Sequence, residues 1–407
     1  MATLTRLLGD LEAGEDAVQD ACALALTVWP REGTPANPKA WLIGVARHKA
    51  VDRIRRERLR AGKEAQASRG AGPAVPGPAE EATSPRDQGA SALAEDQLGL
   101  IFACCHPALD PAVRVGLTLR CVCGLSTADI AAAFLVPEPT MAQRLVRAKR
   151  KIRQAGISLR MPGPPDVAER LDAVLRVVYL VFTQGHRAAV GPALVRGELC
   201  DQAIGLARAL AALLPDQPEV TGLLALLLLT DARRAARMGA DGNLIVLPDQ
   251  DRERWDRNKI TEGERLLETA LRARRPGPYQ LHAAIAACHS CAPAAAATDW
   301  RQIAALYGQL IRYEPSPVIE ANRAVAVAMA EGPAAGLAIL DAAGEHPQLA
   351  RWPQFHIARA ELLHRAGREA EAAGAFRAAL RLDLPPAERA FIETRIARPG
   401  SPGPGPA

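Results

Sequence analysis

The residues best suited to chemistry in this chain are basic and closely grouped. Between Pro139 and Pro165 there is no acidic residue, while Arg144, Arg147, Lys149, Arg150, Lys151, Arg153 and Arg160 supply seven positive charges. A solvated surface helix ordinarily interleaves Glu or Asp so that charges pair at i,i+4 spacing. An all-basic helix instead suits an anionic partner, and a phosphate backbone is the natural one. A second concentration comprises Arg47, His48, Lys49, Arg53, Arg55, Arg56, Arg58 and Arg60, opposed only by Asp52 and Glu57, with Trp41 at its start. Basic side chains track phosphates and an aromatic ring stacks on an unpaired base, although such a segment taken alone reads equally as an amphipathic surface helix. Upstream, Glu12, Glu15, Asp16 and Asp20 form an acidic helix face, a pattern that by itself requires only solvent.

The elements that must position these groups are helical. Ser126 is a natural N-cap for Thr127–Phe134, Leu135-Val-Pro-Glu138 makes a turn, and Pro139-Thr140 opens a second helix, Pro being well placed in a first turn. Ile130, Ala131 and Val136 would pack against Met141 and Leu145. That is a helix-turn-helix, whose second helix enters the major groove of duplex DNA. The basic segment after Trp41 and the acidic segment before it form two further helical patterns, separated by Trp29-Pro30 and Pro35-Ala-Asn-Pro38. Their apolar faces are Val18, Ala21, Ala25 and Val28, and Ile43, Ala46, Ala50 and Ile54.

Composition agrees with an all-α fold. Apolar residues make up 49% of the 407, mostly Ala, Leu and Val, and aromatics only 4%. Ala61 to Ala90 holds four Pro, five Gly and eight Ala, a composition that favours a flexible linker. Met161-Pro-Gly-Pro-Pro165 is a second break. The expected organisation is therefore a helical domain at 1–60, a linker at 61–90, a helix-turn-helix domain at 91–160, a helical extension at 166–397 and a disordered tail at 398–407. In the extension, Ala360, Leu363, Gly367, Ala372, Phe376 and Ala379 fall at tetratricopeptide spacing, and Ala324, Val327, Gly336, Leu340 and Ala343 follow it more loosely 36 residues earlier. Generic helix pairs would satisfy the same pattern; either reading gives a solenoid-like scaffold that presents a binding surface.

No uninterrupted apolar core for a signal peptide follows Met1, and Leu223–Leu229 is far short of a membrane span, so a cytoplasmic protein without membrane attachment is expected. Cys104-Cys105-His106 with Cys121 and Cys123, and Cys288-x-x-Cys291 with His282 and His289, read as buried thiols in helical patterns, with structural zinc as the competing reading. The expectation is no metal, no cofactor and no catalytic residue. An enzyme built on the cysteine clusters would lack any nucleotide-binding glycine loop, H-E-x-x-H or G-x-S-x-G.

Two segments carry a family resemblance. Glu15-Asp-Ala-Val-Gln-Asp-Ala, followed by Pro35-Ala-Asn-Pro-Lys-Ala-Trp-Leu-Ile-Gly-Val-Ala-Arg-His-Lys-Ala-Val-Asp-Arg-Ile-Arg-Arg56, resembles the promoter-melting domain of extracytoplasmic-function sigma factors. Gly124-Leu-Ser-Thr-Ala-Asp-Ile-Ala through Arg144–Arg153 resembles their minus-35-reading domain. The remainder is similar to a subgroup with a C-terminal tetratricopeptide-like extension and a D-x-D-R-like signature, seen here as Asp249-Gln-Asp-Arg252 with Trp255.

The resemblance implies a sigma factor with two small helical sigma domains and a regulatory extension, not an enzyme, whose partners are core RNA polymerase and promoter DNA. Glu15, Asp16 and Asp20 would face the polymerase. The Gly33–Lys39 loop would cradle a flipped minus-10 base, with Trp41, Arg47, Lys49, Arg53, Arg55 and Arg56 holding the strand. Thr140, Gln143 and Arg144 would approach minus-35 base edges, and Arg147, Lys149, Arg150 and Lys151 would hold phosphates, which position without specifying. Asp249, Asp251, Arg252 and Trp255 would either form an ion-pair network fixing a loop or make a regulatory contact, and a regulatory protein bound by the extension is a further candidate partner. The competing class is a helix-turn-helix regulator without polymerase function. Two departures stand out: Leu135 occupies the usual small turn position, so that turn must avoid positive φ, and the family normally has further helix ahead of Met1.

Overall fold

The computed structural model describes residues 1–38, 40–52, 90–134, 136–186, 197–239 and 244–397. Arg53, Arg55, Arg56, the expected 61–90 linker up to residue 89, Leu135 and the tail from 398 lie outside them. The described residues are helical, without a β-strand among them; a single isolated bridge joins Met238 and Leu244. None of these helices is long and apolar enough to cross a membrane. Packing divides the chain into two compact units, Met1–Val177 and Val178–Ala407.

Unit 1 contains α1 (Ala2–Leu8), α2 (Leu11–Glu32), α3 (residues 40–52), α4 (Ala90–Cys104), α5 (Pro111–Cys121), α6 (Thr127–Ala133), α7 (Glu138–Gln154) and the first part of α8 (Pro164–His186). The proline-rich break at Met161–Pro165 thus runs into the first turn of α8, and the division between units falls within that helix. Leu4, Ala17, Ala21, Ala46 and Ala50 form the small core under α1 to α3. Alanines let these helices approach closely, and Gly14 carries this furthest, since a Cβ there would sit 2.5 Å from the Thr5 hydroxyl. Sequence reasoning ended the acidic helix at Trp29-Pro30, but α2 runs on through Pro30 to Glu32. Proline costs an interior helix one hydrogen bond; here that bond belongs to the last turns, where Leu26 is 78% exposed and water is at hand. In the second half of the unit, Leu98 and Leu100–Cys105 of and just beyond α4 are buried against α1 and α5.

Unit 2 continues through α8 to α9 (Gly197–Leu213), α10 (Pro218–Asp231), α11 (Arg257–Arg272), α12 (Pro278–Ser290), α13 (Trp300–Tyr313), α14 (Pro317–Glu331), α15 (Pro333–Ala343), α16 (Pro347–Ala350), α17 (Pro353–Arg365), α18 (Glu369–Leu380) and α19 (Pro386–Ala397). Seven of these open on proline, whose fixed φ and missing N–H suit a first turn. α10 is apolar on all sides, with Val220 and Leu223 to Leu229 buried, and it is packed by α9, α11 and α12. A helix without a polar face must be enclosed.

The repeat positions read from sequence form the seams of successive hairpins. Ala360, Leu363, Ala372, Phe376 and Ala379 are buried between α17 and α18, and Ala324, Gly336 and Leu340 between α14 and α15. Gly336 shows why a small residue is needed. A Cβ at this position would fall 2.3 Å from the Ala328 Cβ and 2.5 Å from the Ala324 carbonyl oxygen. Gly374, on α18, meets nothing within 4 Å. Gly336→Ala is therefore expected to destabilise unit 2 by about 1–3 kcal/mol through overpacking, whereas Gly374→Ala should stabilise it by about 0.5–1 kcal/mol through helix propensity. Chemical denaturation of the two variants checks the opposite signs; equal shifts would show that the α14–α15 seam is not close-packed.

Candidate nucleic-acid interface

The helix-turn-helix is assembled by local rules. The Ser126 hydroxyl accepts the Asp129 N–H at 3.0 Å and donates to the Asp129 carboxylate at 2.7 Å, capping α6. Ile130, Ala131, Met141 and Leu145 are buried between α6 and α7 as their spacing requires. Gly116 of α5 lies over this seam, its added Cβ position 3.6 to 3.8 Å from Met141, Ile130 and Leu145. α7 begins at Glu138, one residue earlier than the Pro139 expected.

This packing sorts the side chains of α7. Gln143, Arg144, Arg147, Arg150 and Lys151 are exposed and Thr140 is half-buried, so positions 140, 143–144, 147 and 150–151 share a face. Within α7 itself the only acid is Glu138, in its first turn. Lys149 and Arg153 lie four residues apart on a different face and point elsewhere. Lys149 Nζ donates to Glu15 Oε2 at 2.5 Å, and Arg120 of α5 approaches the other Glu15 oxygen at 3.5 Å. Arg153 Nε donates to Asp10 Oδ2 at 2.5 Å, and its Nη2 donates to Glu12. Burial pushes the Asp10 carboxyl up, but Arg153 and the N–H groups of Ala13 and Glu12 outweigh it and hold the group below its ordinary value. The Arg153 guanidinium is pushed up by the same hydrogen bonds. On the next face of the contact, Arg6 of α1 pairs with Asp96 of α4.

The acidic helix α2 and the basic helix α7 are thus partners within one unit. Glu15, expected at a polymerase surface, holds Lys149, expected at a DNA phosphate. Asp16 and Asp20 are exposed, and the Asp20 carbonyl accepts from Lys49 Nζ at 3.2 Å. Sequence reading did not find Asp10, Arg120, Arg153, Arg6 or Asp96 as members of this network. The available signal was charge segregation: one helix with an acid-rich start and another almost free of acids are complementary to each other as well as to outside partners.

At the other end of α2, Trp29 and Trp41 meet edge to face, 5.5 Å between centroids. Gly33 leaves the helix at φ 88° and the Asn37 carboxamide oxygen accepts the Ala40 N–H at 3.0 Å, capping α3. The short segment between them is therefore fixed at both ends. Arg47 and Lys49 are half-buried and His48 is exposed on α3.

The D-x-D-R segment lies in unit 2, between α10 and α11. Asp249 and Asp251 are exposed, and Asp251 caps a single helical turn by accepting the Glu253 N–H at 2.9 Å. Arg252 donates to the carbonyls of His289 and Ala292 at 3.0 and 2.7 Å and stacks on Trp255 at 4.3 Å. Trp255 is buried. The segment is pinned by arginine to the end of α12 rather than by an Asp/Arg network.

Neither cysteine cluster brings three metal-ligating side chains together among the described residues. Cys104 is held protonated chiefly by its contact with Cys121, and burial pushes Cys105 and Cys123 up to about 12. Among the described residues, one trio, His186, Cys200 and Asp231, has ligating atoms within 4.8 Å of one another. Asp231 already accepts from Arg234 and Lys259, each at 2.7 Å. Burial first, then Arg237, Arg233 and Arg234, push His186 down to about 2. A site whose carboxylate is occupied by two cations and whose surroundings are cationic does not fit a further metal ion.

Residues 1–60 match the model for Sigma-70 region 2, residues 100–152 that for Sigma-70, region 4, and residues 170–271 that of a family of unknown function, DUF6596. An uncharacterized protein of Rhizobium meliloti (strain 1021) is 43% identical over 405 residues, covering 97% of this chain and 92% of that one. No solved structure matches the chain. A region-2 helical domain followed by a region-4 helix-turn-helix places it plainly: the chain belongs to the sigma-70 transcription initiation factors, in their extracytoplasmic-function form, with an added C-terminal helical domain.

Proposed function

We propose that this sigma factor works by exchanging an internal charge contact for its two external partners, under the control of its C-terminal extension. The observation that carries the reading is the Glu15–Lys149 contact, with Asp10 and Glu12 on Arg153. Sigma-70 domains bind core RNA polymerase and promoter DNA. On this reading Glu15, Asp16 and Asp20 face the polymerase. Thr140, Gln143 and Arg144 face minus-35 base edges, and Arg147, Lys149, Arg150 and Lys151 face phosphates. Trp41, Arg47, Lys49, Arg53, Arg55 and Arg56 hold the melted minus-10 strand. Glu15 and Lys149 cannot serve outside partners while they serve each other. Polymerase binding at α2 therefore releases Lys149 and Arg153 to DNA, and by linkage DNA favours polymerase binding to the same degree. Such a protein acts in the cytoplasm, as an initiation factor rather than an enzyme.

Control by the extension is assigned to the exposed Asp249 and Asp251, supported from behind by Arg252 and Trp255. A regulatory protein bound there is the candidate partner. The cap made by Asp251 is shallow and exposed, so its removal should cost the fold little. Asp249→Ala combined with Asp251→Ala should change run-off transcription by core polymerase on the protein's own upstream promoter without altering helical circular dichroism. Parental transcription by that variant would remove these two residues from control.

The exchange itself makes a sharper prediction. Glu15→Gln should raise the affinity of the free protein for minus-35 duplex roughly threefold to tenfold, about 1 kcal/mol for a partly buried ion pair, while lowering its affinity for core polymerase. An unchanged or weaker DNA affinity would reject the mutual masking. Within the complex, Arg144→Ala should cost about 1–3 kcal/mol at the cognate minus-35 element if it makes a bidentate base contact, and less on other sequences. Lys151→Ala should weaken all sequences alike and reduce the log–log salt slope by about 0.9. Equal loss of discrimination in both would reject the division of roles along α7.

A further inference from the structure

Unit 2 contains a cavity of about 460 Å³, within the range of roughly 300–1,000 Å³ typical of small-molecule sites. Aromatics make up only 4% of the chain, yet Trp300, Tyr307, Trp352 and Phe391 all line this one space. Arg233, Arg237, His186 and His289 line it as well. Two acids, Glu361 and Glu388, also border it, but both are buried and provided for. Arg395 donates to both Glu361 oxygens at 2.8 and 2.9 Å, and Gln354 donates to Glu388 at 3.1 Å.

The arginines are not provided for in the same way. Arg234 is taken by Asp201 and Asp231. Arg252 is taken by the two carbonyls at the end of α12. Arg237 donates to the His186 carbonyl. Arg233 makes no hydrogen bond or ion pair among the described residues, and the charges that act on it are Arg237 and Arg252, of its own sign. Arg233 and Tyr307 both keep accessible surface, yet burial pushes the guanidinium down to about 10 and the phenol up to about 12. Both residues line the cavity. Burial followed by Arg233 and Arg252 also pushes His289 down to about 4, leaving a neutral imidazole beside Trp300.

A desolvated cation that meets no counter-charge among the described residues costs several kcal/mol, whereas Arg234, Arg237 and Arg252 nearby each reach an acceptor. We propose that this cavity binds a small organic anion, its carboxylate, phosphate or sulfonate head on Arg233 and its apolar or aromatic body against Trp300, Tyr307, Trp352 and Phe391. Charge-assisted hydrogen bonds to the head fix orientation, and the rings supply area. The site lies wholly in the C-terminal unit and does not depend on the exchange proposed for α2 and α7.

The test uses the full chain and two fluorescent probes of similar shape, the anion anilinonaphthalene sulfonate and the uncharged phenylnaphthylamine. The parent should bind the sulfonate roughly tenfold or more tightly than the neutral probe, the difference one charged hydrogen bond makes. Arg233→Met should abolish that preference while keeping phenylnaphthylamine binding, and Arg208→Met, on the exposed pair with Glu262, should leave both. Because Arg233 meets no counter-charge among the described residues, Arg233→Met should melt no lower than the parent, and inorganic phosphate should raise the melting temperature of the parent alone. Asn322→Trp, which fills the cavity without touching a charge, should lose both probes. Equal affinity of the parent for the two probes, undiminished sulfonate binding by Arg233→Met, or undiminished binding of either probe by Asn322→Trp would overturn the proposal.

Discussion

Much of unit 1 turns on one pairing: α2 gathers acids toward its start, α7 gathers bases, and Glu15 meets Lys149 between them. Asp10 and Glu12 cap and open α2, where an acidic group also complements the helix dipole. Arg153 stands in the last turn of α7, where a cation does the same. Each charge is thus locally favourable in its own helix before any contact is made. The contact between them follows because both helices must lay their apolar faces, Ala17 and Ala21 in one case and Leu145 and Ile152 in the other, into the same unit.

The members of this contact are not equal. Glu15 and Lys149 retain only 15% and 11% of their side-chain exposure, so removing either leaves the other partly desolvated and costly. Arg153 keeps 53%, and its pairs with Asp10 and Glu12 are screened by salt and weak. The contact therefore has a firm centre and a loose rim. A rim of that kind opens first, and a phosphate that approaches the exposed face of α7 at Arg147 and Arg150 meets Arg153 before Lys149. On the proposed reading this gives a graded exchange rather than an all-or-none release.

What sequence could reveal divides along the range of the interactions. The capped helix-turn-helix, the buried Ile130, Met141 and Leu145, and the seams around Gly336 and Phe376 rest on spacing within one or two helices, and these were readable. The sorting of α7 was readable only in part: the buried stripe follows from spacing, but Lys149, expected beside Arg147, Arg150 and Lys151, meets Glu15 instead. The acidic helix was ended too early because a proline weighs more in a sequence than in a last helical turn beside water. The pairing of Glu15 with Lys149 spans 134 residues and could not be read from either helix alone. Arg252 shows the same limit: its pattern suggested an ion pair with a neighbouring aspartate, but its donors reach carbonyls of α12 that only the fold brings near.

The arginines of the extension extend the argument from pairing to vacancy. Asp231, fully buried, is matched by Arg234 and Lys259, and Glu361 by Arg395. In these cases carboxylate and cation enter the interior together, which is the only inexpensive way for either to do so. Arg233 enters without such a partner among the described residues, beside a wall built of the chain's scarce aromatics. On the proposal made for the cavity, the same physics that ties α2 to α7 in unit 1 makes Arg233 the place for an anion from outside.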